Sequence, residues 1–273
     1  MEAYLIEFIG LRGVKMEWKT GITKVEPNHL VTKGYRQEDL IGNVSYPSVV
    51  YLLLKGELPS KEHGRMMDAI LTACVDHGIT SPSCLASRTV ASCAVPLSTA
   101  VAAGVLAIGD AHGGAIEKGA KFLQCGIKRM HDENKSMDEI AEILVKESKE
   151  THKRIPGFGH RVHTSDPRTK KLFSMADELK IASEHVEVSK CIEKNFEKKG
   201  KKLPINVDGA IAAIISDMGF DYGLGKAFFF MGRIAGLTAQ VYEEITREKP
   251  MRKMFDIECK YDGPVERDLP EGE

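Results

Sequence analysis

A mainly α-helical fold built in several layers is what this chain of 273 residues predicts. Three observations carry the prediction. Apolar residues recur at helical spacing from about residue 47 onward, in runs bounded by cap residues. The stretch after Ser81-Pro82 is rich in Ala, Val and Leu with almost no charge until Asp110, the all-round apolar pattern of a helix buried on every side. A long last helix carries Gly225, Gly232 and Gly236, which cost about 1 kcal/mol each against Ala unless a close neighbour needs the space. At roughly 150 residues per domain, the length allows one large domain or two that share a site.

Strand signals are confined to the first 35 residues, where Tyr4-Leu5-Ile6 and Ile22-Thr23-Lys24-Val25 are short and β-prone. Pro47 opens a helix through Leu54 and Gly56 closes it. Ser60 caps a segment in which Met66, Met67, Ile70, Leu71, Cys74 and Val75 keep helical spacing, with Gly78 past its end, so His77 is expected on the last turn. The uncharged stretch from Ser81 is expected to be the central helix, and another begins near Ala115. Ser136 with Glu139 forms a capping box ahead of Ile140, Ile143 and Leu144. Asp166-Pro167 starts a further helix and Ser183 another. Asp208 caps one through Ile211, Ile214 and Ile215, and the last runs from about Leu224 to Ile245, its glycines implying tight contact with a neighbouring helix. The lysine-rich run from Lys194 to Lys202 reads as a solvated turn.

Composition excludes several classes. With 42% hydrophobic and 28% charged residues the chain is neither extensively disordered nor a disulfide-dense scaffold. A net charge of -1 supplies no global field for nucleic acid or an acidic membrane. The longest apolar stretch, Val101 to Ile108, is too short to span a bilayer, and the start of the chain lacks the pattern of a secretory signal. Cys74, Cys84, Cys93, Cys125, Cys191 and Cys259 lie scattered, mostly in apolar helical stretches. We read them as reduced core residues of a cytoplasmic protein, and no metal site is expected, since no histidine falls at a ligand spacing that matches a cysteine pair.

Three loop-to-helix junctions hold polar groups that a plain bundle does not need. In Gly109-Asp110-Ala111-His112-Gly113-Gly114, His112 lies near a positive helix terminus, which disfavours imidazolium and suits a neutral donor that polarises a carbonyl. A histidine packed at a tight turn is the alternative. In Pro156-Gly157-Phe158-Gly159-His160-Arg161, the glycines let the backbone approach a ligand beside His160, and Arg161 adds permanent charge. Arg168, in the first turn of the Asp166-Pro167 helix, opposes the helix dipole, which a bound carboxylate or an ion pair with Asp166 offsets. In Asn206-Val207-Asp208-Gly209, Asp208 is either a plain cap or a partly buried carboxylate able to act as a general base.

Together these junctions resemble the citrate synthase superfamily. The matching pieces are Tyr35 to Leu40, Val50 to Pro59, Asp76-His77, Ala111 to Gly114, Pro156 to His160, Asp166-Pro167-Arg168, Asn206-Val207-Asp208 and Gly232-Arg233, in the family's order over about residues 30 to 250. Within it the chain is similar to the branch of stand-alone citryl-CoA lyases and the lyase module of ATP-citrate lyase. One helix here joins Gly56-Glu57-Leu58-Pro59 to Asp76-His77, where ordinary synthases have a much longer segment, and Gly78 stands where synthases tend to have glutamate. His112, in contrast, is histidine as in synthases.

The resemblance implies a mainly α, citrate-synthase-like fold with a large helical domain, residues 1–112 and 223–273, and a small helical domain, residues 113–222, closing over a cleft. It implies reversible cleavage of citryl-CoA to acetyl-CoA and oxaloacetate, with no cofactor beyond the coenzyme A thioester that is itself substrate. In the implied roles Asp208 moves the proton at the acetyl methyl carbon, His112 hydrogen-bonds the thioester oxygen, and His160 faces the keto or hydroxyl oxygen. Arg168, Arg233 and His77 hold substrate carboxylates, with Arg252 as the arginine given by a partner subunit. Gly157, Phe158, Gly159 and Arg161 lie against coenzyme A. The partners implied are an acyl-CoA, an oxo acid and a second copy of the chain, as a homodimer or a multiple of dimers, with no nucleic acid and no membrane. A short citrate or 2-methylcitrate synthase, and a catalytically silent CoA-binding partner protein, remain as alternatives.

Overall fold

The β-prone run ending at Val25 forms β1 (Thr23–Glu26), which pairs antiparallel with β2 (His29–Thr32) through Thr23 opposite Thr32 and Glu26 opposite His29. A two-residue β3 (Tyr35–Arg36) completes the sheet in the order β1-β2-β3. This computed structural model describes residues 17–152, 154–159, 165–253, 258 and 260–269; the β-prone Tyr4-Leu5-Ile6 lies outside them.

Helices dominate the rest. They are α1 (Gln37–Leu40), α2 (Tyr46–Lys55), α3 (Lys61–Cys74), α4 (Pro82–Ala91), α5 (Leu97–Leu106), α6 (Ala115–Asp132) and α7 (Met137–Glu150). α8 (Pro167–Glu178), α9 (Glu184–Lys198), α10 (Val207–Asp217) and, after a 3-10 turn at Tyr222–Leu224, α11 (Gly225–Arg247) follow. The local signals explain the boundaries. Pro47 sits in the first turn of α2, and Gly56 ends it at φ 89°, a left-handed backbone that glycine adopts without steric cost. Ser60 Oγ accepts the His63 N–H at the start of α3, and Ser136 with Glu139 forms the full capping box of α7.

The chain divides into two compact units, the described part of Met1–Ala73 with Ala115–Phe229, and Cys74–Gly114 with the described part of Phe230–Glu273. This division groups the first seventy-odd residues with α6 to α10, whereas the resemblance places both ends of the chain in one domain. In the first unit α10 is the central element, packed on α6, α8 and α9, while α9 also packs on α7. Val207 and every residue from Gly209 to Ser216 are buried. In the second unit α4 packs on α5, and Cys84, Ala91, Ala100, Val101, Leu237 and Val241 form one core cluster.

The uncharged stretch expected to be the central helix is thus corrected in two respects. It is two helices, because the chain turns at Ser92 to Val95, with Ala94 at φ 59°, before Pro96 caps α5. Nor is it buried all round, since α5 buries only Ala100, Val101 and Gly104, and Leu106 is 85% exposed. Two of the cysteines read as core residues, Cys93 and Cys125, are exposed; Cys74 and Cys84 are buried, and Cys259 lies outside the described residues.

The tight contact read from the glycines of α11 is present at two of them. A Cβ on Gly225 would come within 2.5 Å of the Glu117 backbone nitrogen in α6, and one on Gly236 would overlap the Val75 carbonyl oxygen. Asp217, at the end of α10, reaches out to cap α9, accepting the N–H groups of Ser183 (2.8 Å), His185 (2.9 Å) and Val186 (3.1 Å).

Substituting Gly225→Ala forces the start of α11 off α6, and a loss of about 1 to 3 kcal/mol is expected, the cost of overpacking a close contact. Gly21→Ala, where an added Cβ meets nothing within 4 Å, should stay within about 0.5 kcal/mol of wild type. Thermal or urea unfolding of both variants checks the contrast, and equal stabilities refute it.

Candidate active site

In the first unit, the glycine loop and the start of α10 lie back to back. The Gly157 carbonyl accepts the Asn206 N–H (2.9 Å), and the Gly159 N–H donates to the Pro204 carbonyl (2.7 Å). Gly157, at φ 85°, would with any Cβ lie 2.5 Å from the Gly209 Cα, so both crossing residues must be glycine. Phe158 packs its ring on Phe196, centroids 6.0 Å apart, so the loop offers a ligand its backbone rather than this side chain.

The helix cap here is corrected: Asn206 holds it, not Asp208. Asn206 Oδ1 accepts the Gly209 N–H (3.0 Å), while its Nδ2 donates to the Gly159 carbonyl (2.7 Å). Asp208 is the second residue of α10, partly buried, with its carboxylate favourably placed at a helix N-terminus. Arg168 forms the ion pair that the sequence left open: Asp166, buried at the cap of α8, accepts the Arg168 N–H (3.0 Å), Nε (3.1 Å) and Nη2 (2.8 Å). Its charge is therefore offset in place and its fork oriented. His160 and Arg161 lie outside the described residues.

The second unit gathers the rest. His112 is half-buried, and its Nε2 accepts the backbone N–H of Ser83 (3.4 Å) with Ser83 Oγ at 2.8 Å. Since Nε2 is an acceptor, the neutral ring carries its proton on Nδ1. Burial pushes the imidazole below its ordinary pKa, and the nearby Arg233 guanidinium pushes it the same way. The shift has the direction read from sequence, and burial and a nearby cation contribute to it, while the helix start that meets Nε2 is the first turn of α4. Ser83, the residue that sets the tautomer, carries no signal in the sequence beyond standing after a helix-starting proline.

Arg233 is buried on α11, its Nε donating to the Cys74 carbonyl (2.8 Å). His77 is exposed and stands beyond the end of α3 rather than on its last turn, a correction that follows from the helix ending at Cys74; the Asp76 carboxylate closes the turn by accepting the Gly78 N–H (2.9 Å). Arg252 grips Glu244 through Nε (2.8 Å) and Nη2 (2.7 Å), and Arg88 reaches the same carboxylate from α4 through Nε (2.8 Å). Hydrogen bonding by Arg252, joined by the charge of Arg88, holds the buried Glu244 carboxyl below the ordinary glutamate range. Arg88 and Glu244 are unmarked in the sequence: Arg88 shows only as a charge inside an apolar helical run, and Glu244 only as one acid among several in a long amphipathic helix.

The first unit thus holds a carboxylate at a helix start, a strap of glycine backbone and an oriented arginine, and the second a half-buried imidazole with arginines fixed by hydrogen bonds, all on a helical scaffold. The chain belongs to the citrate synthase family: residues 60–254 match the model of "Citrate synthase, C-terminal domain". Among solved structures it is similar to citryl-CoA lyase from Hydrogenobacter thermophilus, at 47% identity and a TM-score of 0.85, covering 93% of this chain and 98% of that one. ATP citrate lyase from Methanothrix soehngenii, at 22% identity and a TM-score of 0.76, shares the fold over 97% of this chain and 44% of that one. Among curated proteins, citrate synthase 2 of Bacillus subtilis is 31% identical over 215 residues, 77% of this chain. The chain spans about half (54%) of that relative's length.

Two measurements check the electrostatics. Long-range 1H–15N spectra should show His112 neutral with its proton on Nδ1 from about pH 6.5, the unperturbed histidine value, upward; a proton on Nε2 refutes the tautomer. Glu244→Gln leaves the buried Arg88 guanidinium, and the partly exposed Arg252 beside it, short of a charge, and about 3 kcal/mol of stability should be lost at neutral pH. Because the folded carboxyl is depressed below the ordinary 4.5, the wild-type advantage is complete above that value and fades as pH falls through the lower folded value. A gap that does not depend on pH refutes the charge argument.

Proposed function

We propose that the protein is a citryl-CoA lyase, cleaving citryl-CoA reversibly to acetyl-CoA and oxaloacetate. The observation that carries this reading is 47% identity to a citryl-CoA lyase over nearly the whole of both chains. In the cleavage direction the citryl hydroxyl gives its proton to His160, the bond between the hydroxyl carbon and the acetyl methylene breaks, and its electron pair moves into the thioester as an enolate. The Nδ1–H of His112 stabilises the developing oxyanion, as a pre-oriented neutral donor can. Asp208, in its protonated form, then delivers a proton to the methylene carbon and completes acetyl-CoA. Arg168 and Arg233 hold oxaloacetate carboxylates through paired N–H groups, His77 adds a donor, and the backbone of Gly157 to Gly159, with Arg161, lies against coenzyme A.

The two-domain division into residues 1–112 with 223–273 and residues 113–222 belongs to this reading. So does a homodimer, or a multiple of dimers, in which Arg252 serves the partner's substrate. The exposed apolar side chains of α5 and α11, among them Leu106, Ile234, Tyr242 and Ile245, support a second copy as their cover. The free thiols of Cys74, Cys84, Cys93, Cys125 and Cys191 suit a reducing, cytoplasmic setting. Among the described residues no helix is long and apolar enough to cross a membrane.

Purified protein given citryl-CoA should release oxaloacetate, followed through malate dehydrogenase, faster than it releases free coenzyme A thiol. Asp208→Asn should lower that rate by about 100-fold or more, while stability changes by only a few tenths of a kcal/mol, the size of a helix-terminus charge effect. Thiol release without oxaloacetate would establish the synthase reading, which the Bacillus subtilis relative favours. Inertness toward both citryl-CoA and its methyl homologue would leave the silent CoA-binding partner.

A further inference from the structure

One face of α11 is laid along the chain that leaves α3, residue by residue. Arg233 Nε meets the Cys74 carbonyl, Gly236 leaves room for the Val75 carbonyl, and one turn on Gln240 Nε2 donates to both carboxylate oxygens of Asp76, each at 3.4 Å. Gln240 also faces the opposite way: its Oε1 accepts Arg88 Nη1 (2.9 Å), and Arg88 is tied in turn to Glu244. Arg88 belongs to α4, the helix whose first turn supplies Ser83 to His112.

We propose that Gln240 is a positioning residue that fixes the Asp76-His77-Gly78 turn, and with it the backbone from which the His77 side chain projects, against the helix that orients His112. The inference rests on the lyase reading for its kinetic consequence and on geometry alone for the placement of His77. An amide is the side chain this place requires. Its oxygen faces a guanidinium donor and its nitrogen a carboxylate acceptor, a polarity that neither glutamate nor lysine can supply on both sides. Asp76 in turn uses Oδ2 to hold the Gly78 N–H, so the amide and the turn share one carboxylate. A turn held this way gives the His77 side chain a fixed backbone anchor, so less backbone freedom is lost at each binding event.

The test swaps the two partners. Gln240→Glu keeps the shape and the Arg88 bond but sets a carboxylate against Asp76; Asp76→Asn added to it restores a donor–acceptor pair with the roles exchanged. In citryl-CoA cleavage, Gln240→Glu should raise KM by roughly tenfold or more with a smaller change in kcat, and the double variant should recover most of the loss, the coupling expected of contacting residues. The His77 ring signals, identified by their loss in His77→Gln, should move in Gln240→Glu and return in the double variant. Gln240→Met, which removes the bond without adding charge, should raise KM in the same direction and keeps the test open if the charged variant fails to fold. A single variant with unchanged KM, a double variant no better than the single one, or unmoved His77 signals would each overturn the proposal. Wild-type protein that cleaves no citryl-CoA removes the lyase reading instead, and the His77 signals then decide the placement alone.

Discussion

Where the Gly157 carbonyl crosses the start of α10, and again where the Val75 carbonyl lies on Gly236, backbone touches backbone with no room for a Cβ. The candidate residues of both units depend on these close approaches. A side chain carries its functional atom at the end of rotatable bonds, so its precision is set by how firmly the backbone beneath it is held. At Gly157 the loop is fixed by hydrogen bonds to Pro204 and Asn206, the residues that lead into α10, and Asp208, the second residue of the helix, stands one residue before the contact. At Gly236 the turn bearing His77 is fixed to the helix bearing Arg233. Each glycine gives up side-chain packing and pays in backbone entropy for a contact that side chains could not reproduce.

Polar order is then added by groups that are costly to bury alone. Glu244 is 2% exposed and lies between the guanidiniums of Arg88 and Arg252, with Gln240 completing the coordination of Arg88. Such a cluster contributes little net stability against an apolar replacement of the same volume, because desolvation offsets most of the attraction. What it supplies is directionality. A packed apolar interface tolerates small rotations of α4 against α11, whereas planar forks on one carboxylate do not. His112 takes its hydrogen-bond acceptor role from Ser83 on the same α4, so rotation of that helix would displace the imidazole ring.

Much of the fold was legible in sequence. Caps and periodicity placed α2, α3, α7 and α8 within a residue or two, and the glycines of α11 announced close contacts, because all of these are local or one-sided properties of the chain. The candidate site was legible as a set of residue types at helix starts, but not as an arrangement. Asn206 and Asp208 are equally good caps by type, and only the Gly159 carbonyl, distant in sequence, selects Asn206 because only an amide can donate to it. Ser83, Arg88, Gln240 and Glu244 owe their roles to partners more than twenty residues away, which no periodicity encodes. The break between α4 and α5 was hidden by uniform apolarity; Pro96 marked it, yet the pattern on both sides continued unchanged.

The Asp217 carboxylate, set at the far end of α10, completes the first turn of α9 although the two are joined through more than thirty residues of chain. Helix starts are ordinarily finished by a neighbour in sequence, and can then form before anything else does. Here the amides of Ser183, His185 and Val186 acquire their acceptor only when α10 has docked, so this helix start is an event of tertiary assembly. The loop that must close first imposes its entropy on both helices at once. The order of α9 is therefore coupled to that of α10 at this point, and loss of α10 takes from the amides at the beginning of α9, ordinarily among the first to fray, the carboxylate that holds them.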